Sequence, residues 1–171
     1  MTKADFLDIS KEAVLLSKML LNAMNTAGAI VIANWAGSEK KEFKRIKKDC
    51  DIILASSRMP EAMRHLQAEV GIQSSPLIAY NGGLVLDGDK VLSSTEVGFE
   101  EVKKIAELSE GTEIHVSIYN NDEWFVPAMD YWANREASNT KVTPQVRSIA
   151  ETLAAYGKIN RGAHKVMCMG P

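Results

Sequence analysis

"IILASSRMPEAMRHL", residues 52–66, runs from a short apolar strand through two serines and an arginine into a helix opened by a proline. A strand whose C-terminal end opens directly onto a helix N-terminus gathers unpaired backbone N–H groups at one point, and that point attracts anions. Pro60 suits the first helical position, Glu61 the first turn and Gly71 the helix end. The stretch reads as one strand–loop–helix unit of an α/β sheet and raises the question of whether its junction handles phosphate; taken alone, Ser56 reads as a helix-capping serine and Arg58 as a surface arginine.

The same alternation extends upstream. "AIVIANW" (29–35) is a β-branched strand, and "GSEKKEFKRIKKD" (37–49) is a basic helix with a narrow apolar face of Phe43 and Ile46. Before them, "ADFLDI" (4–9) reads as a short strand and "KEAVLLSKMLLNAMNTAG" (11–28) as a helix stopped by Gly28. Downstream, "PLIAYNGGLVLDGDKVL" (76–92) reads as three strands joined by N-G-G and D-G-D turns. Strand and helix in alternation predict an α/β fold, here a partial Rossmann-like parallel sheet with helices on both faces.

Beyond residue 93 the texture changes. "GFEEVKKIAELSEG" (98–111) is an amphipathic helix, and "TEIHVSIYNNDEWFVP" (112–127) is a hairpin with N-N-D at its tip. "TPQVRSIAETLAAYG" (143–157) reads as a helix with Thr143 as N-cap and Pro144 in its first turn, and "AHKVMCMG" (163–170) as a closing strand. A hairpin with two or more helices predicts a separate α+β lobe. The boundary is expected in residues 86–95, dividing a core portion (1–85) from a cap lobe (86–171).

With 171 residues the chain holds one ordinary domain, or a small one with an inserted lobe. Its 20 Lys and Arg nearly balance its 22 Asp and Glu, so no global field draws it to nucleic acid or to an anionic membrane. The run "KKEFKRIKK" (40–48) lacks aromatics interleaved for base stacking and reads as a solvated helix face. His65, His115 and His164 have no zinc-ligand spacing. Cys50 and Cys168 read as reduced, largely buried thiols of a cytoplasmic protein. The N-terminus has no apolar export signal, and no stretch is long enough to span a membrane.

Segment for segment, the chain resembles the Cof-type sugar phosphatases of the haloacid dehalogenase (HAD) superfamily. "IILASSRMPEAM" is similar to that family's strand ending in Thr or Ser, commonly followed by Gly-Arg. "IAYNGGLV" is similar to its strand and Asn-Gly turn, and "EIHVSIYNNDEWFVPAMDYWANRE" with "HKVMCMG" resembles its cap. The resemblance is nearly continuous from residue 51 onward and poor before it. It implies phosphate monoester hydrolysis with Mg²⁺: an aspartate attacks phosphorus, a second aspartate serves as acid and base, and a neighbouring hydroxyl holds the phosphoryl group.

Carried over by residue, the resemblance makes Ser56 the hydroxyl, puts Ser57 where glycine is usual, and matches Arg58 to the following arginine. Asn81 and Gly82 match the Asn-Gly turn at the site rim, and Asp8 best matches the nucleophile and Mg²⁺ ligand. The family's Asp-x-Asp-Gly-Thr is not met: Asp8 is followed by Ile9, Ser10, Lys11 and Glu12. A second candidate, Asn34-Trp35-Ala36-Gly37-Ser38, keeps the strand and glycine and replaces both aspartates. Lys165, on the final cap strand, is not the family's catalytic lysine, which belongs further on with the acidic metal signature. Most of Trp124, Phe125, Tyr131 and Trp132 read as cap core, with a rim aromatic able to meet a sugar face. The implied ligand is a small phosphorylated metabolite, foremost a sugar phosphate. The alternative is a catalytically silent phosphate-binding or interaction module, which could pair into a homodimer through an open sheet edge.

Overall fold

The computed structural model describes residues 29–33 and 51–170. The elements expected at 4–9, 11–28 and 37–49, together with Asp8, Ser10, Asn34 and Cys50, lie outside the described residues.

A first sheet has the order β1 (Ala29–Ala33), β2 (Asp51–Ala55), β3 (Leu77–Ala79), β4 (Leu84–Asp87), β5 (Lys90–Ser94). The first three strands run parallel, with Ala33 opposite Ala55; β4 turns back antiparallel to β3, and β5 is antiparallel to β4. The α/β reading is therefore the fold. Ile52 and Leu54 of β2 alternate into the core, each 3% exposed or less, and such burial stabilises by about 2 kcal/mol per side chain.

Helix α1 (Glu61–Val70) carries the chain from β2 to β3, as a parallel pair requires. It buries Ala62, Met63 and Val70. Gln67 lies on the same buried face because its amide donates to the Ser75 carbonyl at 2.9 Å. Gly71, at φ 72°, ends the helix in the left-handed region where a side chain would be strained.

Helix α2 (Phe99–Ser109) leads into a second sheet. Its order is β8–β7–β6–β9, built from β6 (His115–Asn120), β7 (Glu123–Val126), β8 (Gln145–Val146) and β9 (Lys165–Met169). Strand β6 is buried along its whole length because both faces are covered. Val116, Ile118 and Phe125 pack with Val102 of α2 and with Tyr156 of α4 (Ile149–Lys158). The opposite face, with Tyr119, Trp124 and Val126, joins one apolar cluster with Leu54, Met59 and Tyr80 of the first sheet and its loops.

Three expectations are corrected. Residues 131–140 form a helix, α3 (Tyr131–Thr140), that the sequence reading did not assign. It starts because the Asp130 carboxylate accepts the Ala133 N–H at 2.9 Å, while its other oxygen bonds buried His115 at 2.7 Å. The helix expected from Thr143 begins instead at Ile149, capped by Ser148 and Glu151 in a reciprocal capping box. Residues Gln145 and Val146 are first drawn into parallel pairing with β7. Cys168 is exposed rather than buried, because β9 is the edge strand of its sheet. Of the four aromatics named for the cap, Trp124 and Phe125 are buried and Tyr131 is 69% exposed.

Candidate functional site

The end of β2 is tied to the end of β3 by backbone alone. The Ser56 N–H donates to the Ile78 carbonyl and the Asn81 N–H to the Ser56 carbonyl, both at 2.9 Å, and the Tyr80 N–H donates to the Arg58 carbonyl at 3.1 Å. Ser56 Oγ accepts the Arg58 N–H at 3.3 Å, a serine turn that leaves the hydroxyl proton available. Ser56, Arg58 and Asn81 thus meet at the C-terminal ends of the parallel strands, where open α/β sheets bind their ligands. Ser57, Asn81 and Gly82 are exposed on that rim, and Arg58 is half-buried.

Tyr80 holds the turn in place. Its φ of 52° is costly for a bulky residue, and three contacts hold it there. Its N–H reaches Arg58, its hydroxyl donates to the Asn121 carbonyl at 2.6 Å, and its ring stacks on His164 with centroids 5.3 Å apart. Burial, with the Asp122 and Tyr119 charges adding, pushes its hydroxyl pKa upward, so it stays a donor.

The helix N-terminus is not simply an open anion seat. Asp122, in the β6–β7 turn, accepts the Glu61 N–H at 2.6 Å and an Arg64 guanidinium N–H at 2.5 Å. The second sheet therefore supplies its own carboxylate to the first turn of α1. The sequence reading missed Asp122 and Tyr80 as site residues. A contact spanning 61 positions, as between Glu61 and Asp122, leaves no local signal.

His164 fastens the same junction. Its Nδ1 accepts the Asn121 N–H at 3.1 Å, so the ring proton resides on Nε2, which donates to Ser94 Oγ at 3.0 Å. Burial lowers the His164 pKa, partly offset by Glu96 and reinforced by Arg161. A depressed histidine contributes stability that is full above its ordinary value near 6.5 and is lost as pH falls below it. Unfolding midpoints are therefore expected to drop between pH 7 and about pH 5, with a smaller drop in His164→Gln. An equal slope in both proteins would remove His164 from this role.

Lys165, the first residue of β9, pairs with Tyr119, and its ammonium lies 5.0 Å from that ring's centroid. Burial lowers its pKa, Glu136 of α3 opposes this, and the Arg58 charge adds to it. HAD phosphatases generally use Mg²⁺. Among the described residues, no three His, Cys, Asp or Glu side chains form a metal cluster, and Asp122 is already bonded to Glu61 and Arg64. These residues do not by themselves fit Mg²⁺.

The family of haloacid dehalogenase-like hydrolases matches residues 37–165, well over half of the chain. The chain belongs to this family. It is a Cof-type HAD-like protein, and the match reaches upstream of residue 51 to residue 37. Solved structures share the fold. TM0651 from Thermotoga maritima has a TM-score of 0.65 at 18% identity, over 82% of this chain and 55% of that one. A HAD/COF-like hydrolase from Plasmodium vivax has a TM-score of 0.67 at 11% identity, over 89% and 60%. The HAD subclass IIB sugar phosphatase BT4131 has a TM-score of 0.60 at 17% identity, over 75% and 55%. This HAD-like chain spans little more than half the length of those structures, and no curated protein matches it. Among the described residues, no helix is long and apolar enough to cross a membrane.

Proposed function

We propose that this HAD-like protein hydrolyses phosphate monoesters of a small metabolite, foremost a sugar phosphate, in the cytoplasm. The observation that carries this reading is the junction of Ser56, Arg58 and Asn81, gathered by backbone hydrogen bonds where the parallel strands end. Ser56 and Arg58 hold the phosphoryl oxygens, and Ser57, Asn81 and Gly82 line the rim. The second sheet and its helices form the cap over the substrate, with the division falling in the hairpin 86–95, whose strands stay in the first sheet to Ser94. A homodimer through the edge strand β5, where Val91 and Leu92 are each 51% exposed, completes the proposal.

Asp8 is the proposed nucleophile. Its carboxylate oxygen bonds to phosphorus as the ester P–O bond breaks, and the leaving alkoxide takes a proton. Water then attacks the aspartyl phosphate, releasing phosphate and restoring the carboxylate. Where the family has its acid/base aspartate this chain has Ser10, so the leaving group draws its proton from solvent. Mg²⁺ enters through the family alone, with Asp8 as its ligand.

The strand beside β2 offers a rival position. Ala33 ends β1 opposite Ala55, and the next residue in the sequence is Asn34, whose amide is no nucleophile. Turnover of p-nitrophenyl phosphate, whose leaving group needs no proton, is expected to exceed that of alkyl sugar phosphates by about 10²-fold or more. Asp8→Asn should abolish it. Unchanged turnover in Asp8→Asn, with a gain in Asn34→Asp, would move the nucleophile position to residue 34. Phosphate binding without turnover in any protein would leave a binding module.

A further inference from the structure

The turn between β6 and β7 grips the first sheet at three points. The Asn121 carbonyl accepts the Tyr80 hydroxyl at 2.6 Å, and Asp122 accepts the Glu61 N–H at 2.6 Å. The third grip passes through buried His164. Its Nδ1 accepts the Asn121 N–H at 3.1 Å, and its Nε2 donates to Ser94 Oγ, at the end of β5, at 3.0 Å.

The His164 grip depends on a proton. An amide N–H only donates, so the bond exists only while Nδ1 is unprotonated. Protonation sets two N–H groups against each other across 3.1 Å. The ring has no useful way to turn. It lies nearly parallel to the Tyr80 ring, at 12° with centroids 5.3 Å apart, and a half-turn that keeps this stack puts a carbon opposite Asn121. The His164 backbone is held as well, its N–H donating to the Tyr119 carbonyl at 2.9 Å. Two charged groups face the ring. Glu96, after β5, favours the proton and Arg161, before β9, opposes it, and Asn120 bonds both. Asp122 is engaged by Glu61 and Arg64. Tyr80 carries the effect onward. Its ring stacks on His164, its hydroxyl grips Asn121, and its N–H donates to the Arg58 carbonyl at 3.1 Å, one residue before Asn81.

We propose that the β6–β7 turn is a latch that neutral His164 closes and protonated His164 releases, freeing the hairpin tip and loosening the loops that carry Arg58 and Asn81. The latch holds whichever reaction the junction serves, so it goes beyond the phosphatase reading and does not rest on it. The closed latch binds the proton more weakly than the open one. Closure is therefore complete above the ordinary histidine value near 6.5 and is lost as pH falls below it. Asn121 is exposed, so water replaces its lost partner. The rim of the junction is then more open in mild acid than at neutral pH.

The test is NMR on the uniformly ¹⁵N-labelled chain between about pH 8 and about pH 5. A coupling across the hydrogen bond from the Asn121 nitrogen to His164 Nδ1 is expected at the upper pH. It should vanish as Nδ1 gains its proton, with one midpoint for both events. Protection of the Asn121 and Tyr80 amides, corrected for the intrinsic rate of exchange, should fall about fivefold or more, the weight of one hydrogen bond. In acid their exchange should be indifferent to low urea, as local opening is, while Leu54 and Ile118 keep the urea slope of global unfolding. His164→Gln offers an acceptor that does not titrate and should keep Asn121 protected throughout. Asp122→Asn should retain the acid release. Three results would each overturn the latch: a coupling that persists in acid, an acid release retained in His164→Gln or lost in Asp122→Asn, or a urea slope for Asn121 equal to that of Leu54. The wild-type titration decides the matter even where a variant does not fold.

Discussion

Gly162→Ala is expected to lower stability by about 4 kcal/mol, a fall in Tm on the order of 12 °C. Gly162 lies where the segment leaving β5 meets the segment entering β9. The Val97 N–H donates to the Ala163 carbonyl at 2.8 Å, and the Ala163 N–H returns the bond at 3.0 Å. The Gly162 N–H donates to Glu96 at 3.0 Å. A Cβ on Gly162 would fall far inside van der Waals contact of the Val97 carbonyl oxygen, with the Glu96 side chain closing the remaining space. The obstruction is mainly backbone, so no rotamer change relieves it. The two strands must part, and the reciprocal bonds go with them, each worth about 1 kcal/mol. Gly170→Ala is the control, because its Cβ would meet only ordinary contact with Ile114 at 3.5 Å. A Gly162→Ala Tm within about 2 °C of wild type would show that the crossing gives way easily.

Asn120→Asp should cost a similar amount, about 4 kcal/mol at neutral pH, and should do so in a pH-dependent way. Asn120 is fully buried. Its amide nitrogen donates to Glu96 at 2.7 Å and to the Gly162 carbonyl at 2.9 Å, while its oxygen accepts from Arg161 at 2.7 Å and from Asn121 at 3.0 Å. Glu96 as a carboxylate can only accept and Arg161 can only donate, so the amide orientation is fixed by its neighbours. An aspartate replaces two donors by an oxygen facing a carboxylate and a carbonyl. Its acid form is favoured in the fold, which raises its pKa above the ordinary value near 3.9. The deficit is therefore small at pH near 4 and grows as pH rises through the raised value. Urea unfolding of both proteins from pH 4.5 to 8 measures this, and a gap independent of pH would contradict it.

Both variants strike one polar knot. Glu96, Asn120, Arg161 and Gly162 bind the segment after β5 to the end of β6 and to the segment entering β9. Arg161 also reaches Glu123, and His164 adds Ser94 and the Asn121 N–H. The hairpin tip that carries Asp122 to α1 is thereby held against the first sheet. If the Ser56 junction is a phosphate site, the knot sets how the cap meets it.

The sequence by itself determined the elements whose signals are local. Ile52 and Leu54 alternate because a strand puts successive side chains on opposite faces. Gly71 marked the end of α1 because a left-handed residue there favours glycine. The hairpin turns were legible for the same reason, and the motif at Ser56, Arg58, Asn81 and Gly82 carried the family, which the match over residues 37–165 bears out. Ser148 and Glu151 also form a local signal, a capping box, that was outweighed by the more conspicuous Thr143-Pro144.

Only the tertiary structure decided the rest. Residues 145–146 pair with β7 because an adjacent edge was open to them, a choice that no propensity encodes. Asp122 caps α1 across 61 residues, and the Tyr80 hydroxyl bonds the Asn121 carbonyl across 41. Such pairings depend on how separate elements are brought together, and charge acts through space without regard to distance along the chain.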